Sequence, residues 1–116
     1  MSAFAAQIKG WLKPGGVLFV GYQEGDVMPK TKDAHTTVLA EAFRKNAMLY
    51  EVEEITEQVY ELLLKKRAAA EMHRKEFAAE GHLNWYEMLI GQTEYANVPY
   101  KEFKKNMARY LYVVRK

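Results

Sequence analysis

The chain alternates between runs with helical spacing and short apolar runs bounded by turn residues. Phe4, Ile8 and Trp11 or Leu12 recur at i, i+4, i+7 and i+8, predicting a helix from Ser2 to about Trp11 with one apolar stripe and Ser2 as its cap. Pro14 cannot continue that helix, and Gly15 and Gly16 suit a reversing turn. Val17, Leu18, Phe19 and Val20 follow without a polar break, which predicts a strand over about 17–22 buried on both faces. Gly21 and Gly25 are read as releasing the chain into a loop at 21–26 that carries Tyr22, Gln23, Glu24 and Asp26. Val27 to Ala34, with Pro29 and mixed Lys and Asp, reads as an exposed loop.

The next stripe, Val38, Leu39, Ala42 and Phe43, predicts a helix over about 34–46, capped by Thr36 or Asp33. Tyr50 and Val52 alternate with Glu51 and Glu53, so a strand over 49–55 has one dry and one wet face, as near a sheet edge. Thr56 is a good cap for a long helix extending to Glu80, with Gly81 as its stop. Val59, Leu62, Leu63, Ala70 and Phe77 give it a loose stripe. Leu83 to Tyr95 predicts a further helix, and Asn97 and Pro99 mark the start of a last one. Tyr110 to Val114, aromatic and β-branched, predicts a closing strand. No internal repeat is present.

The turn Leu12-Lys13-Pro14-Gly15-Gly16 followed by an apolar strand resembles the turn before the fifth strand of class I (Rossmann-like) S-adenosylmethionine-dependent methyltransferases. The order of the later elements matches the carboxyl half of that fold. The resemblance implies an α/β chain with about three strands in a mixed sheet. The two early strands are expected to be parallel, joined by the 34–46 helix through a right-handed crossover. The last strand is expected between them, antiparallel to both. Residues 56–98 become a helical insertion or cap within a single domain over 1–116, with 1–55 supplying strand, helix and strand and 99–116 the final helix and strand. A chain that starts on a core-facing helix is expected to be part of something longer.

The family's methyl donor rests on a Gly-rich loop after its first strand. This sequence contains no G-x-G-x-G or G-x-G-x-x-G, and Gly15-Gly16 precedes a strand instead of following one. S-adenosylmethionine is therefore the cofactor implied for the parent family, with no cofactor-binding residue here and an isolated chain expected to be inactive. The substrate side is where this half is informative. Tyr22 and Glu24, at the carboxyl end of the first strand, and His82, Trp85 and Tyr86, in the insertion, are the candidates to contact a small-molecule acceptor. Packing is the competing role for Trp85 and Tyr86, since each has an apolar body with a polar tip. His82, Glu24 and Tyr22 are the candidates by location for a general base, against a surface or structural role for each, and no catalytic residue is assigned. A non-enzymatic α/β interaction module, using its sheet edge or helical cap, is the alternative reading.

Composition narrows the remaining classes. With 116 residues, 49% of them hydrophobic, one small domain can bury a core. The net charge of +2, from 17 basic and 15 acidic residues, does not suggest a nucleic-acid partner. No run approaches the roughly 18–20 apolar residues of a membrane helix, and the amino terminus does not read as a signal peptide. With no cysteine there is no disulfide framework or thiolate zinc site, and a cytoplasmic setting is expected. His73 and Glu76 share a helix face, but no set of ligands accompanies them, so no metal site is expected. The uncharged strand at 17–22 is expected to pair either with a second copy, giving a homodimer, or with a missing amino-terminal half.

Overall fold

The computed structural model describes residues 1–25, 30–31 and 33–116. It divides into two compact units, residues 1–55 with 107–116, and residues 56–106. The helix that the sequence reading grouped with the closing strand falls in the second unit.

The first unit holds helices α1 (Ser2–Trp11) and α2 (Val38–Lys45) and strands β1 (Val17–Glu24), β2 (Leu49–Glu54) and β3 (Ala108–Arg115). The sheet order is β1-β3-β2, with β3 antiparallel to both neighbours. The outer strands therefore run in the same direction without touching, and the expected insertion of the last strand is present. Both hydrogen-bonded ladders among the described residues are antiparallel, so the sheet's mixed character lies only in that shared direction.

The turn into β1 follows from its residues. Gly16 donates its amide to the Lys13 carbonyl at 2.7 Å, with Pro14 second and Gly15, at φ +78°, third. Those are the residues a type II turn requires. The ladder begins at once, since Gly15 and Lys116 donate to Lys116 and Gly16 respectively.

One face of the sheet carries Tyr22, Tyr110, Tyr112 and Val114 and packs against Ala5 and Ile8 of α1 and Leu39 and Phe43 of α2. Strand alternation explains this set, because Tyr110, Tyr112 and Val114 are two apart and point the same way. On α2, the helical stripe does the same, and Thr37 caps the helix by accepting the Ala40 amide at 3.0 Å. This corrects the assignment of the cap to Thr36 or Asp33. Asp33 instead accepts the His35 amide and the Thr36 amide and hydroxyl just before the helix. Lysine side chains satisfy carbonyls at helix ends: Lys9 Nζ reaches Asn46 O, and Lys116 Nζ reaches Lys9 O and Leu12 O.

Three further expectations change. Ser2 is the first residue of α1 and makes no cap bond, its hydroxyl and carbonyl accepting from Asn46 instead. The buried face of α1 is Ala5 and Ile8, while Trp11 is 72% exposed. The run Val17–Val20 is not buried on both faces: Leu18 and Val20 are half-buried, but Phe19 is 67% exposed. Within this unit only the Leu18 and Val20 face of the run is covered.

The second unit is helical: α3 (Thr56–Met72), α4 (Arg74–Ala79), α5 (Leu83–Thr93), a 3₁₀ turn (Glu94–Ala96) and α6 (Tyr100–Asn106). The long helix expected to reach Glu80 breaks at His73, whose backbone leaves the helical region. Thr56 is the first helical residue and is buried. Gly81 is the stop that the sequence implied: at φ +76° it lets His82 donate to Phe77 O and Gly81 to Ala78 O, the Schellman pairing.

Candidate functional site

The loop expected at 21–26 is strand through Glu24, and the chain turns at Gly25, φ +100°; Asp26 lies outside the described residues. Gly21 belongs inside the strand for a packing reason. A Cβ there would meet Arg109 Nη2 at 2.9 Å, and Arg109 uses that space to donate to Gln23 Oε1 at 3.2 Å.

Tyr22 and Glu24 point to the same face at the carboxyl end of β1 and are both buried. Glu24 accepts two bonds from Thr31, from the amide at 2.6 Å and the hydroxyl at 3.0 Å. The Tyr22 hydroxyl has no hydrogen-bond partner among the described residues, although the residue is only 8% exposed. Its pKa is raised, first by burial and then by the nearby Glu24 charge. Tyr22 is therefore a neutral hydroxyl at physiological pH: a hydrogen-bond donor or acceptor, not a base.

A cluster of aromatic side chains surrounds it. Tyr110 is its register partner, and Tyr112 meets it edge-on at 6.4 Å. Burial pushes both Tyr110 and Tyr112 up to about 12. Tyr112 is fully engaged, with its hydroxyl 2.6 Å from Thr37 Oγ1 and 2.6 Å from the Ala34 carbonyl. His35 Nδ1 and Arg44 Nη1 both reach the Tyr50 hydroxyl, at 2.9 and 3.0 Å. The sequence reading missed this tyrosine set. Its signal was the period-two placement of Tyr110 and Tyr112, opposite Tyr22 in an antiparallel pairing.

His82, Trp85 and Tyr86 lie in the helical unit, at the start of α5. The His82 and Trp85 rings stack at 4.3 Å with only 7° between their planes. Trp85 remains about half exposed. Tyr86 turns elsewhere, its ring 6.3 Å from Phe77 and under the Arg74 guanidinium at 5.5 Å. Neither ring is buried against Leu62, Leu63 or Phe103. Within this unit His82 and Trp85 form a pair, and Tyr86 belongs to a separate contact. His73 Nδ1 lies 2.8 Å from Glu76 Oε2, so these two groups engage each other. Among the described residues no group of three His, Cys, Asp or Glu side chains is placed to hold a metal.

The cofactor test is structural as well as sequential. The amides of Gly15 and Gly16, the one adjacent glycine pair, are both spent on backbone carbonyls in the turn. That pair therefore has no free amides to offer a cofactor's ribose or carboxylate.

The fold is that of part of a class I S-adenosylmethionine-dependent methyltransferase, with the last strand inserted antiparallel between its neighbours. The chain superposes over 99% of its length on phosphoethanolamine N-methyltransferase 2 of Haemonchus contortus, solved with phosphomonomethylethanolamine and S-adenosylhomocysteine, with a TM-score of 0.74 and 17% identity. It superposes equally completely on a cyclopropane synthase of Mycobacterium tuberculosis, with a TM-score of 0.66 and 18% identity. The chain spans 29% of the first of those proteins and 49% of the second. No known family pattern and no curated protein sequence matches it.

Proposed function

We propose that this chain is the carboxyl-terminal, acceptor-side part of a cytoplasmic S-adenosylmethionine-dependent methyltransferase acting on a small molecule. The observation that carries the reading is the β1-β3-β2 order behind the Pro-Gly-Gly turn, shared over nearly the whole chain with an N-methyltransferase. Methyl transfer depends on holding the acceptor in line with the donor. In the sheet unit, Tyr22 supplies a pre-positioned neutral hydroxyl for a polar group of the acceptor, and Glu24, held by Thr31, fixes the end of β1. In the helical unit, the His82–Trp85 stack offers an exposed aromatic surface and Tyr86 a cation-covered ring. Each is proposed as an acceptor contact of its own unit. The Gly-rich donor loop has no counterpart in the sequence, so this chain by itself binds no donor and turns nothing over.

The test is an NMR titration of the chain with phosphomonomethylethanolamine and, separately, with S-adenosylhomocysteine. The acceptor is expected to shift resonances around Tyr22, and Tyr22→Phe to abolish those shifts. The adenosyl compound is expected to shift none. A dissociation constant below about 100 μM for the adenosyl compound, roughly 5 kcal/mol of binding, defeats the assignment of this half.

A further inference from the structure

The helical unit contains a cavity that none of the acceptor contacts above lines. It is built on one stripe of the sequence. Lys66, Ala69, Ala70 and His73 follow one another at helical spacing along α3 and just past its end. The same spacing continues into Glu76, Phe77 and Glu80 at α4. The helix breaks at His73, and the two halves of the stripe line one cavity of about 370 Å³, with Leu89 of α5 on another side. That volume falls within the range of about 300–1,000 Å³ found for small-molecule sites. Every wall comes from residues 66–89, inside one unit. The two alanines leave the room, since a long side chain at Ala69 would fill it.

The polar groups at the rim divide into engaged and free ones. The Lys66 ammonium donates to Gln92 Oε1 at 2.6 Å, so the cavity receives the apolar stem of this lysine. His73 Nδ1 lies 2.8 Å from Glu76 Oε2. Glu80 enters no ion pair or side-chain hydrogen bond among the described residues. The cavity therefore combines an apolar interior, from Ala69, Ala70, Phe77 and Leu89, with one uncommitted charge, and that charge is negative. Glu76 and Glu80 also stand one helical turn apart, where like charges repel, and a cation between them relieves the repulsion. The Phe77 ring offers such a cation a second attraction. An anion finds no equivalent place, because the lining lysine is already engaged.

We propose that this cavity binds a small organic amine. Its ammonium is held by Glu80 together with Glu76, and its aromatic or branched apolar body lies against Phe77, Leu89 and the two alanines. The proposal is independent of the methyltransferase reading, since it uses only residues of the helical unit that take no part in holding the acceptor.

NMR titration of the whole chain with phenethylamine and with phenethyl alcohol, its neutral counterpart of the same size, tests it. The amine is expected to shift the methyl resonances of Ala69, Ala70 and Leu89. It should bind about 10-fold tighter than the alcohol, as one charge-assisted hydrogen bond allows. Glu80→Gln should lower the amine to the affinity of the alcohol and leave the alcohol unchanged. Ala69→Leu should abolish the shifts from both. Both positions are exposed, so neither substitution disturbs a core. Glu61→Gln, at an exposed position of α3 outside the cavity, should change nothing. An amine that leaves those methyls unmoved, or binds no better than the alcohol, overturns the proposal. So does a Glu80→Gln chain that keeps the preference, or a wild-type chain that binds hydrocinnamate, an anion of similar body, more tightly than the amine. If circular dichroism shows Glu80→Gln unfolded, Ala69→Leu decides: loss of the amine's shifts supports the site, and their persistence overturns it.

Discussion

In the sheet unit Phe43, Leu39, Tyr112 and Val114 lose essentially all contact with solvent, whereas the buried apolar side chains of the helical unit are Ala70, Ala96 and Phe103. The difference lies in which residues meet. The sheet unit joins α1 and α2 to a strand more than sixty residues later, so its core consists of large side chains brought from distant parts of the sequence. The helical unit is a run of consecutive short helices, with Leu62, Met72 and Met88 more than half exposed. Its bonds are correspondingly peripheral, as in Arg67, which meets Glu94 at 2.9 Å and Glu71 at 3.4 Å near the surface. Surface ion pairs of this kind contribute little, because water screens them. Stability should therefore be concentrated in the sheet unit, with the helices as the first part to open.

The sharpest way to break that comparison is truncation in each unit. Phe43→Ala removes a ring that packs on Tyr50 and Tyr112, at 5.8 Å from each, and should cost about 3–5 kcal/mol in urea unfolding. Leu62→Ala, in the helical unit, should stay within about 0.5 kcal/mol. Equal losses at the two positions would mean that the helical unit shares the main cooperative core.

The caps give a finer contrast, because the same motif closes a helix in each unit. After α2, Met48 donates to Phe43 O and Ala47 to Arg44 O, with Ala47 at φ +52°. After α4 the corresponding left-handed residue is Gly81. Ala47→Gly should relieve a Cβ clash and stabilise the chain by about 1 kcal/mol, and Gly81→Ala should destabilise by a similar amount. Thermal melts of the two variants should move in opposite directions.

Tyrosine ionisation should report the same asymmetry. Tyr110 and Tyr112 have pKa values raised from 10.0 to about 12 by burial, so the folded sheet unit holds its phenolic protons more tightly than the unfolded chain. That contribution is complete below about pH 10 and is lost as pH rises through about 12. Unfolding followed by amide exchange and tyrosinate absorbance should show the sheet unit weakening across that window. Tyr112→Phe should flatten the slope there.

The smallest expected effect is the most diagnostic for the site. The Tyr22 hydroxyl is buried without a partner among the described residues, so Tyr22→Phe should leave stability unchanged or slightly raised. A clear loss of stability would show that the hydroxyl serves the fold and not a ligand.

How much of this was legible beforehand differs by region. Around residues 12–20 the turn and the strand were legible, because Pro14 and Gly15 leave one turn geometry and an apolar run follows, but the exposure of Phe19 was not. The insertion of the last strand came from resemblance to a known fold, since periodicity identifies a strand but not its neighbours. The candidate site was half legible. Tyr22 and Glu24 were picked out as candidates from their place at a strand end, but Tyr110 and Tyr112 were not, because strand register puts them opposite Tyr22 and Val20, about ninety positions earlier.

Local stereochemistry and spacing, which act over a few residues, settled the turn at Pro14–Gly15, the stop at Gly81 and the alternation of Tyr50 and Val52. Tertiary structure decided the rest. It extended β1 to Glu24, because the ladder with β3 continues through Gln23 opposite Arg109 and Glu24 opposite Ala108. It gave the α2 cap to Thr37, whose hydroxyl also meets Tyr112. It left Phe19 and Trp11 in solvent, because burial depends on what the neighbouring elements cover, and no pattern within one segment carries that information.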